Sequence, residues 1–269
     1  MDLTFLVPTR IETEDRLRNI ISSVSYLLYH TNAKVIVKEV SKHSTFKFRA
    51  IPEIKKYVGT KVLNLTHIFE ESDEDLFCKS KVLNDLIVAS DTKVVANYDA
   101  DCILPKESYE NAYQLIMQGE ADVVYPYQCG IYQWRAEYDM DIFNEFVQTL
   151  NTETLDKKKS LHNSTIGWCQ FVDRQRYIDS YMMNENFISW GCEDDEFYYR
   201  MSILGNRIVR LNSYAYHLEH GRTYNSWFSN PNFNNNYTLW NTIKTFDRNT
   251  LVEYYENQDY LKRRREQLK

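Results

Sequence analysis

Lys93-Val94-Val95-Ala96-Asn97-Tyr98-Asp99-Ala100-Asp101 is the stretch that decides the fold. Residues 93–98 are rich in β-branched, aromatic and small apolar side chains, the pattern of a buried strand. The chain then runs straight into an Asp-x-Asp pair, and Pro105 closes the turn. Two carboxylates at i and i+2 beyond a strand end can converge on one divalent cation, and hard oxygen donors suit Mg²⁺ or Mn²⁺. Such a cation would neutralise a diphosphate leaving group. An isolated Asp-x-Asp is equally what a solvated turn looks like, so the surrounding pattern has to decide.

Outward from that strand, helical and strand periods alternate. Residues 3–8 (Leu-Thr-Phe-Leu-Val-Pro) form a short apolar run stopped by Pro8. Residues 13–29 place Leu17, Ile20, Ile21, Val24, Leu27 and Leu28 at helical spacing, with acids in the first turn. Strands are expected at 34–40 and 60–65, an amphipathic helix from Leu76 to Val88, and a strand over Asp122–Tyr127. The order predicts an α/β fold with a mostly parallel central sheet flanked by helices. Ligands of such sheets bind at the carboxyl ends of the strands, where Pro8-Thr9-Arg10 and Asp99-Ala100-Asp101 both fall.

Past residue 120 the pattern loosens. Residues 128–165 are polar and aromatic, with a helical excursion around 138–150. A helix is expected over Glu193–Leu204, ended by Gly205, then a strand Arg207–Leu211 and a second run ending at Tyr216-His217. Residues 222–236 read as a mobile loop, and the chain returns to helix from about 238. This divides the chain into a domain over 1–237, with a donor half at 1–127 and an acceptor half at 128–237, and a helical extension over 238–269.

Composition sets outer limits. The 269 residues carry a net charge of −6, which argues against a nucleic-acid partner. The 21 tyrosines suit ligands with apolar faces and hydroxyls, as sugars have, although a plain compositional bias explains them equally well. The five cysteines are odd in number and lack Cys-x-x-Cys spacing, so a zinc site or disulfide framework is not expected and a reducing cytoplasm is. No apolar run reaches the ~20 residues of a membrane span, and the N-terminus reads as a strand rather than a signal peptide. The basic run Lys262–Arg265 reads as a helix end or as a surface for an acidic partner, and the tyrosines of the C-terminal helix as a homodimer contact.

Two further clusters carry chemistry. Trp190-Gly191-Cys192-Glu193-Asp194-Asp195-Glu196 puts four acids at a helix start, which the helix dipole alone would stabilise. The Trp-Gly pair adds an aromatic platform, and a carboxylate near a stacked sugar can take a hydroxyl proton. Ala215-Tyr216-His217-Leu218-Glu219-His220 offers two imidazoles at a strand end as nitrogen ligands to the same cation.

Taken together these residues resemble glycosyltransferases of the nucleotide-diphospho-sugar (GT-A) fold. The likeness is to β-1,4-galactosyltransferases and to the galactosyltransferase-like domain of bacterial chondroitin-type polymerases, over about residues 3–225 with a gap near 128–163. Val7-Pro8-Thr9-Arg10 is similar to the family's first strand end, where the uridine sits. Phe77-Cys78-Lys79-Ser80-Lys81-Val82-Leu83-Asn84 is similar to its aromatic-x-basic-x-Lys-x-Leu-Asn helix, which implies that Phe77 and Lys79 face the nucleotide. Lys79 stands where Arg is usual, so bidentate contacts would be lost. The resemblance implies Asp99 and Ala100 beside the donor, and Asp101, His217 and His220 as metal ligands. Trp190 to Glu196 resembles the Trp-Gly-Gly-Glu-Asp-Asp signature, with Cys192 in place of the second Gly. It implies Asp194 as general base, and Trp190, Glu193 and Asp195 as acceptor contacts.

The implied activity is inverting transfer of galactose or N-acetylgalactosamine, or another hexose, from a UDP-sugar to a glycan or other hydroxyl acceptor, with Mn²⁺ or Mg²⁺. Thr165 matches a position where a bulky residue would exclude an N-acetyl group, and loop 222–236 is the expected lid. Two rivals use the same residues: a non-catalytic sugar- or nucleotide-binding protein of this fold, and a glycoside hydrolase with a carboxylate pair among Glu193, Asp194 and Asp195. A sugar-nucleotide pyrophosphorylase would need a Gly-rich phosphate loop, which Thr9-Arg10-Ile11-Glu12 lacks.

Overall fold

The structure is a computed structural model and describes residues 1–162, 166–225, 228 and 230–269. Strand β1 (Leu3–Thr9) is buried along its whole length, as its unbroken apolar run requires of a central strand. It pairs in parallel with β2 (Lys34–Ser41) on one side and β4 (Val94–Tyr98) on the other. Between β1 and β2 runs α1 (Glu14–His30). Thr13 caps it by accepting from the backbone N–H of Arg16, and its apolar stripe from Leu17 to Leu28 faces the core.

The third strand departs from expectation. Gly59 takes a positive φ of 57° after α2 (Ile51–Val58), and residues 59–64 form a 3₁₀ turn with Leu63 exposed. The strand itself is β3 (Leu65–Glu71), parallel to β2 at the sheet edge. At the edge the strand has half-buried and exposed positions but no fully buried one, so its sequence has no continuous apolar run to mark it. Helix α3 (Lys79–Ala89) then leads into β4. After the two-residue strand β5 (Cys102–Ile103), α4 (Lys106–Met117) leads to β6 (Val123–Tyr125).

The loosely patterned stretch contains real elements: β7 (Gln133–Ala136), α5 (Met140–Thr149), β8 (Lys159–Leu161) and, just beyond it, β9 (Cys169–Asp173). Strand β9 enters the main sheet between β4 and β6, antiparallel to both. Following α6 (Arg174–Asp179) and α7 (Glu193–Ile203), β10 (Ile208–Arg210) pairs in parallel with β6. The seven-stranded order is β10-β6-β9-β4-β1-β2-β3, mostly parallel as expected. A second, four-stranded sheet, β5-β11-β7-β8, is built around β11 (Ala215–Leu218). Its β5–β11 pairing sets His217 opposite Cys102 and so ties the histidine segment to the turn after β4.

The C-terminal segment forms three helices, α8 (Phe233–Ile243), α9 (Arg248–Glu256) and α10 (Asp259–Gln267). The expected loop over 222–236 therefore ends at Phe233. These helices share an apolar core with Tyr181 and Phe187, and that core takes up Tyr255 and Tyr260. Within it the fully buried Arg200 pairs with Glu196 at 2.9 Å, and the Tyr255 hydroxyl donates to the same carboxylate. The basic run is engaged within the chain: Lys262 with Asp259, Arg264 with Glu185 and Asp85, Arg265 with Glu256. Among the described residues no helix is long and apolar enough to cross a membrane.

Candidate active site

A cleft of about 470 Å³ opens at the carboxyl ends of β1 and β4. Pro8, Thr9 and Arg10 enter it from β1, Phe77 and Lys79 from the start of α3, and Asp99, Ala100 and Asp101 from the turn after β4. Trp190, Glu193 and Asp194 reach it from the start of α7, and His217 and His220 from the end of β11. Of the site residues the resemblance implies, Asp195 is, among the described residues, the one that does not line the cleft. It is exposed, because each helical position turns about 100° from the last and carries it away from Asp194.

Asp101, His217 and His220 each present a ligand atom, all within 4.8 Å of one another. The Nε2 of His220 is 3.0 Å from Asp101 Oδ2 and that of His217 is 3.8 Å away. The other ring nitrogens are occupied: Nδ1 of His217 lies 2.9 Å from Glu219 Oε1, and Nδ1 of His220 lies 2.8 Å from the Gly221 carbonyl. Both acceptors favour a proton on Nδ1, which leaves the Nε2 lone pairs facing Asp101. One carboxylate and two imidazoles in that tautomer can hold a divalent cation, and the nitrogen donors suit Mn²⁺ better than the harder Mg²⁺, which prefers oxygen. Burial pushes Asp101 up, but His217 and His220 beside it outweigh burial and hold the carboxyl well below the usual range. Ser23 on α1 donates to the Ala100 carbonyl at 2.7 Å, and Asn19 donates to the Leu218 carbonyl at 2.8 Å, so one helix positions both ligand segments.

Lys79 takes a place the sequence does not announce. Its ammonium is 2.8 Å from Asp99, 3.5 Å from Asp194 and 3.9 Å from Glu193. Burial by itself would lower its pKa, but Asp194, Asp99 and Glu193 together raise it well above the ordinary lysine value. Asp99 is pushed up to about 6 by burial, against the pull of Lys79 and with Asp101 adding repulsion. Glu193 is pushed up to about 7 by burial and by the charge of Asp194, again opposed by Lys79. Glu193 also accepts from the Gly191 amide at 3.0 Å and is only 6% exposed, so it braces the turn before α7.

Asp194 accepts a hydrogen bond from Gln170 of β9 at 3.1 Å. Its carboxylate lies so close to Gly167 that a Cβ there would sit 2.0 Å from Oδ2, so only glycine admits this approach. Gly191 has φ 120°, and a Cβ on it would meet Phe233 at 2.9 Å. Cys192 and Ser189 are left-handed with φ 67° and 62°, strain concentrated just before the acidic helix. The Trp190 ring stacks on Phe233 with centroids 5.5 Å apart. Trp168 stacks in turn on His217 at 5.7 Å.

Arg10 is committed to the wall of the cleft. It donates to the carbonyls of Val40, Glu74 and Asp75, with its guanidinium 5.5 Å from the Phe77 ring. The loop after β11 crosses the cleft: Asn225 accepts from the Phe77 amide at 2.8 Å and donates to Glu12 at 3.0 Å. Thr165, and Ser226, Trp227 and Ser229 of the expected lid, lie outside the described residues. Sequence reasoning gave no role to Gly167, Trp168, Gln170 or Glu219. The first three belong to the unrecognised β9 segment, whose apolar residues Trp168, Cys169, Phe171 and Val172 were the available signal.

These features are those of a GT-A fold, with a strand end, an acidic turn and a histidine-bearing strand around one cleft. Residues 155–221 match the family model for the N-terminal domain of galactosyltransferase. No curated protein matches the chain by sequence. Among solved structures, S. aureus TarS 1-349 is 18% identical with a TM-score of 0.54, over 81% of this chain and 60% of its own. GalNAc-T7 with UDP, GalNAc and Mn²⁺ is 14% identical with a TM-score of 0.57, over 85% of this chain and 44% of its own. The mannosyltransferase PcManGT of Pyrobaculum calidifontis, with GDP-Man and Mn²⁺, is 15% identical with a TM-score of 0.53, over 83% of this chain and 58% of its own. The chain thus spans less than two thirds of each.

Proposed function

We propose that this chain is an inverting glycosyltransferase that moves galactose or N-acetylgalactosamine, or another hexose, from a UDP-sugar to a glycan hydroxyl. The observation that carries the reading is the convergence of Asp194 with Asp101, His217 and His220 in one cleft at the strand ends. The galactosyltransferase match over 155–221 and the nucleotide complexes of the similar structures support it.

Asp101, His217 and His220 would hold Mn²⁺ or Mg²⁺, whose charge stabilises a departing diphosphate. Phe77 offers a ring face at the mouth beside Pro8 and Thr9, where a uracil base would rest. Trp190 presents an aromatic wall to an acceptor sugar, the role aromatic faces play toward C–H-rich ring faces. Asp194 takes the proton of the attacking hydroxyl. Gln170 and Lys79 orient its carboxylate. All five cysteines are free, which supports a reducing compartment such as the cytoplasm.

The test is UDP release from a panel of UDP-sugars, with Mn²⁺ and with EDTA, for the wild type and Asp101→Ala. Release from one or two donors that EDTA and the substitution both abolish establishes the class and the sugar. Glycan cleavage that EDTA leaves intact would replace it with the hydrolase reading. Metal-dependent UDP binding with no turnover of any donor would make the chain a binding protein.

A further inference from the structure

His217 stands where two sets of donor groups meet. Asp101, His217 and His220 form the set already described. His162, His217 and Glu219 form another, and their ligand atoms also lie within 4.8 Å of one another. The amide of His162, just past β8, donates to the Gln133 carbonyl of β7 at 2.9 Å, which ties it to the second sheet. Its ring is edge-on to Trp168 with centroids 5.0 Å apart, and 5.7 Å from the His217 ring. Both histidines line the cleft. Glu219 comes two residues after His217, and its Oε1 is 2.9 Å from Nδ1 of that ring. Nε of Arg135 lies 3.2 Å from the same carboxylate, whose two oxygens can serve more than one partner.

The two sets address opposite nitrogens of one ring. Nε2 of His217 faces Asp101 at 3.8 Å, whereas Nδ1 faces Glu219. A neutral imidazole carries a proton on one nitrogen and a lone pair on the other. With the proton on Nδ1 the lone pair serves the Asp101 set, and with the proton on Nε2 it serves the set of His162 and Glu219. Holding a cation at each would require the ring to give up its remaining proton, so one cation disfavours the other. Coordination chemistry names the second cation. Two imidazoles and a carboxylate, with water in the fourth position, satisfy tetrahedral Zn²⁺. Nitrogen donors also hold Zn²⁺ more tightly than Mn²⁺, which favours six positions rich in oxygen.

We propose that His162, His217 and Glu219 form a second cation site, suited to Zn²⁺, whose occupation takes the His217 lone pair from the Asp101 set and so inhibits the metal-dependent reaction. The inhibition rests on the transferase reading above; the site itself does not. The experiment titrates the metal-free full chain with Zn²⁺ in a calorimeter, with Asp101→Ala used to disable the first set. Asp101→Ala is expected to bind one Zn²⁺, and adding His162→Ala should weaken that binding by about tenfold or more. In the wild type loaded with Mn²⁺, zinc should drive Mn²⁺ into solution, read by the electron paramagnetic resonance of the free ion. His162→Ala should raise the zinc needed for this by about tenfold or more while leaving Mn²⁺ affinity within about twofold. If His162→Ala does not fold, His162→Gln, which keeps bulk and polarity but not the ring nitrogens, is expected to give the same losses. Zinc binding by Asp101→Ala that is absent, or that survives loss of the His162 ring unchanged, overturns the site. Mn²⁺ and Zn²⁺ held together by the wild type overturn the exclusion. Failure of the wild type to bind Mn²⁺, or to release UDP from any donor, would instead remove the transferase reading, and zinc binding by Asp101→Ala still decides the site.

Discussion

Replacing Lys79 by Met should unbalance the site in a way that pH reads out. Among the described residues Lys79 is the one cation within 4 Å of Asp99, Asp194 and Glu193, at 2.8, 3.5 and 3.9 Å. With an effective dielectric of about 20, the gross attractions are roughly 6, 5 and 4 kcal/mol. Most of this offsets the desolvation of four charges, and removal of one partner from a buried ion pair typically costs about 3–5 kcal/mol. The sign with pH follows from the two raised carboxyls. Glu193 moves from 4.5 up to about 7 and Asp99 from 3.8 up to about 6, so the folded state binds protons that the unfolded state has released. Their charged forms are the costly ones, and stability falls as pH rises through that window. Urea unfolding at pH 5 and pH 8 should therefore show a loss near 3–5 kcal/mol at pH 8 and a markedly smaller one at pH 5, where Glu193 and Asp99 are neutral. A loss below about 1 kcal/mol at pH 8, or one identical at both pH values, would refute the claim that Lys79 balances this cluster.

Three further outcomes follow from the same geometry. Glu193→Gln keeps an acceptor for the Gly191 amide but removes the strained charge, so it should raise stability at pH 8 by about 1–3 kcal/mol and flatten the fall between pH 4.5 and 7 in urea titrations. Gly167→Ala places a methyl where the Asp194 carboxylate sits, and should lower sugar transfer by about 10²-fold or more while metal-dependent UDP binding, followed by calorimetry, persists. Glu219→Gln removes the charge that fixes the His217 ring, and should weaken Mn²⁺ activation of UDP release by about 10–100-fold in a metal titration.

Local pattern was enough for much of the fold and for the identity of the chemical groups. The largely apolar runs of β1 and β4 marked buried parallel strands, and the residues following them stood at the carboxyl ends where ligands bind. The acidic cluster and the histidine pair were legible because each is contiguous. Where segments meet was not legible. Strand β9 is short, antiparallel and supplied from beyond a long excursion, yet it carries Gln170 and follows Gly167, the two residues that seat Asp194. Its place between β4 and β6 is a long-range pairing that no local period encodes. The second sheet is of the same kind, since only the β5–β11 pairing brings His217 and His220 to Asp101.

Tertiary structure also assigned the charges. By local pattern alone Lys79 is one of two lysines on a helix, and Glu193, Asp194 and Asp195 are equivalent acids at a helix start; their separate roles came only from the resemblance. Folding buries Glu193 against the Gly191 amide, turns Asp195 to solvent and leaves Asp194 in the cleft, while Lys79 is drawn among carboxylates from two other segments. The sequence determined which groups are present and which strand ends carry them. The three-dimensional packing decided which carboxylate faces the cleft, because reach depends on burial and on neighbours contributed by distant parts of the chain.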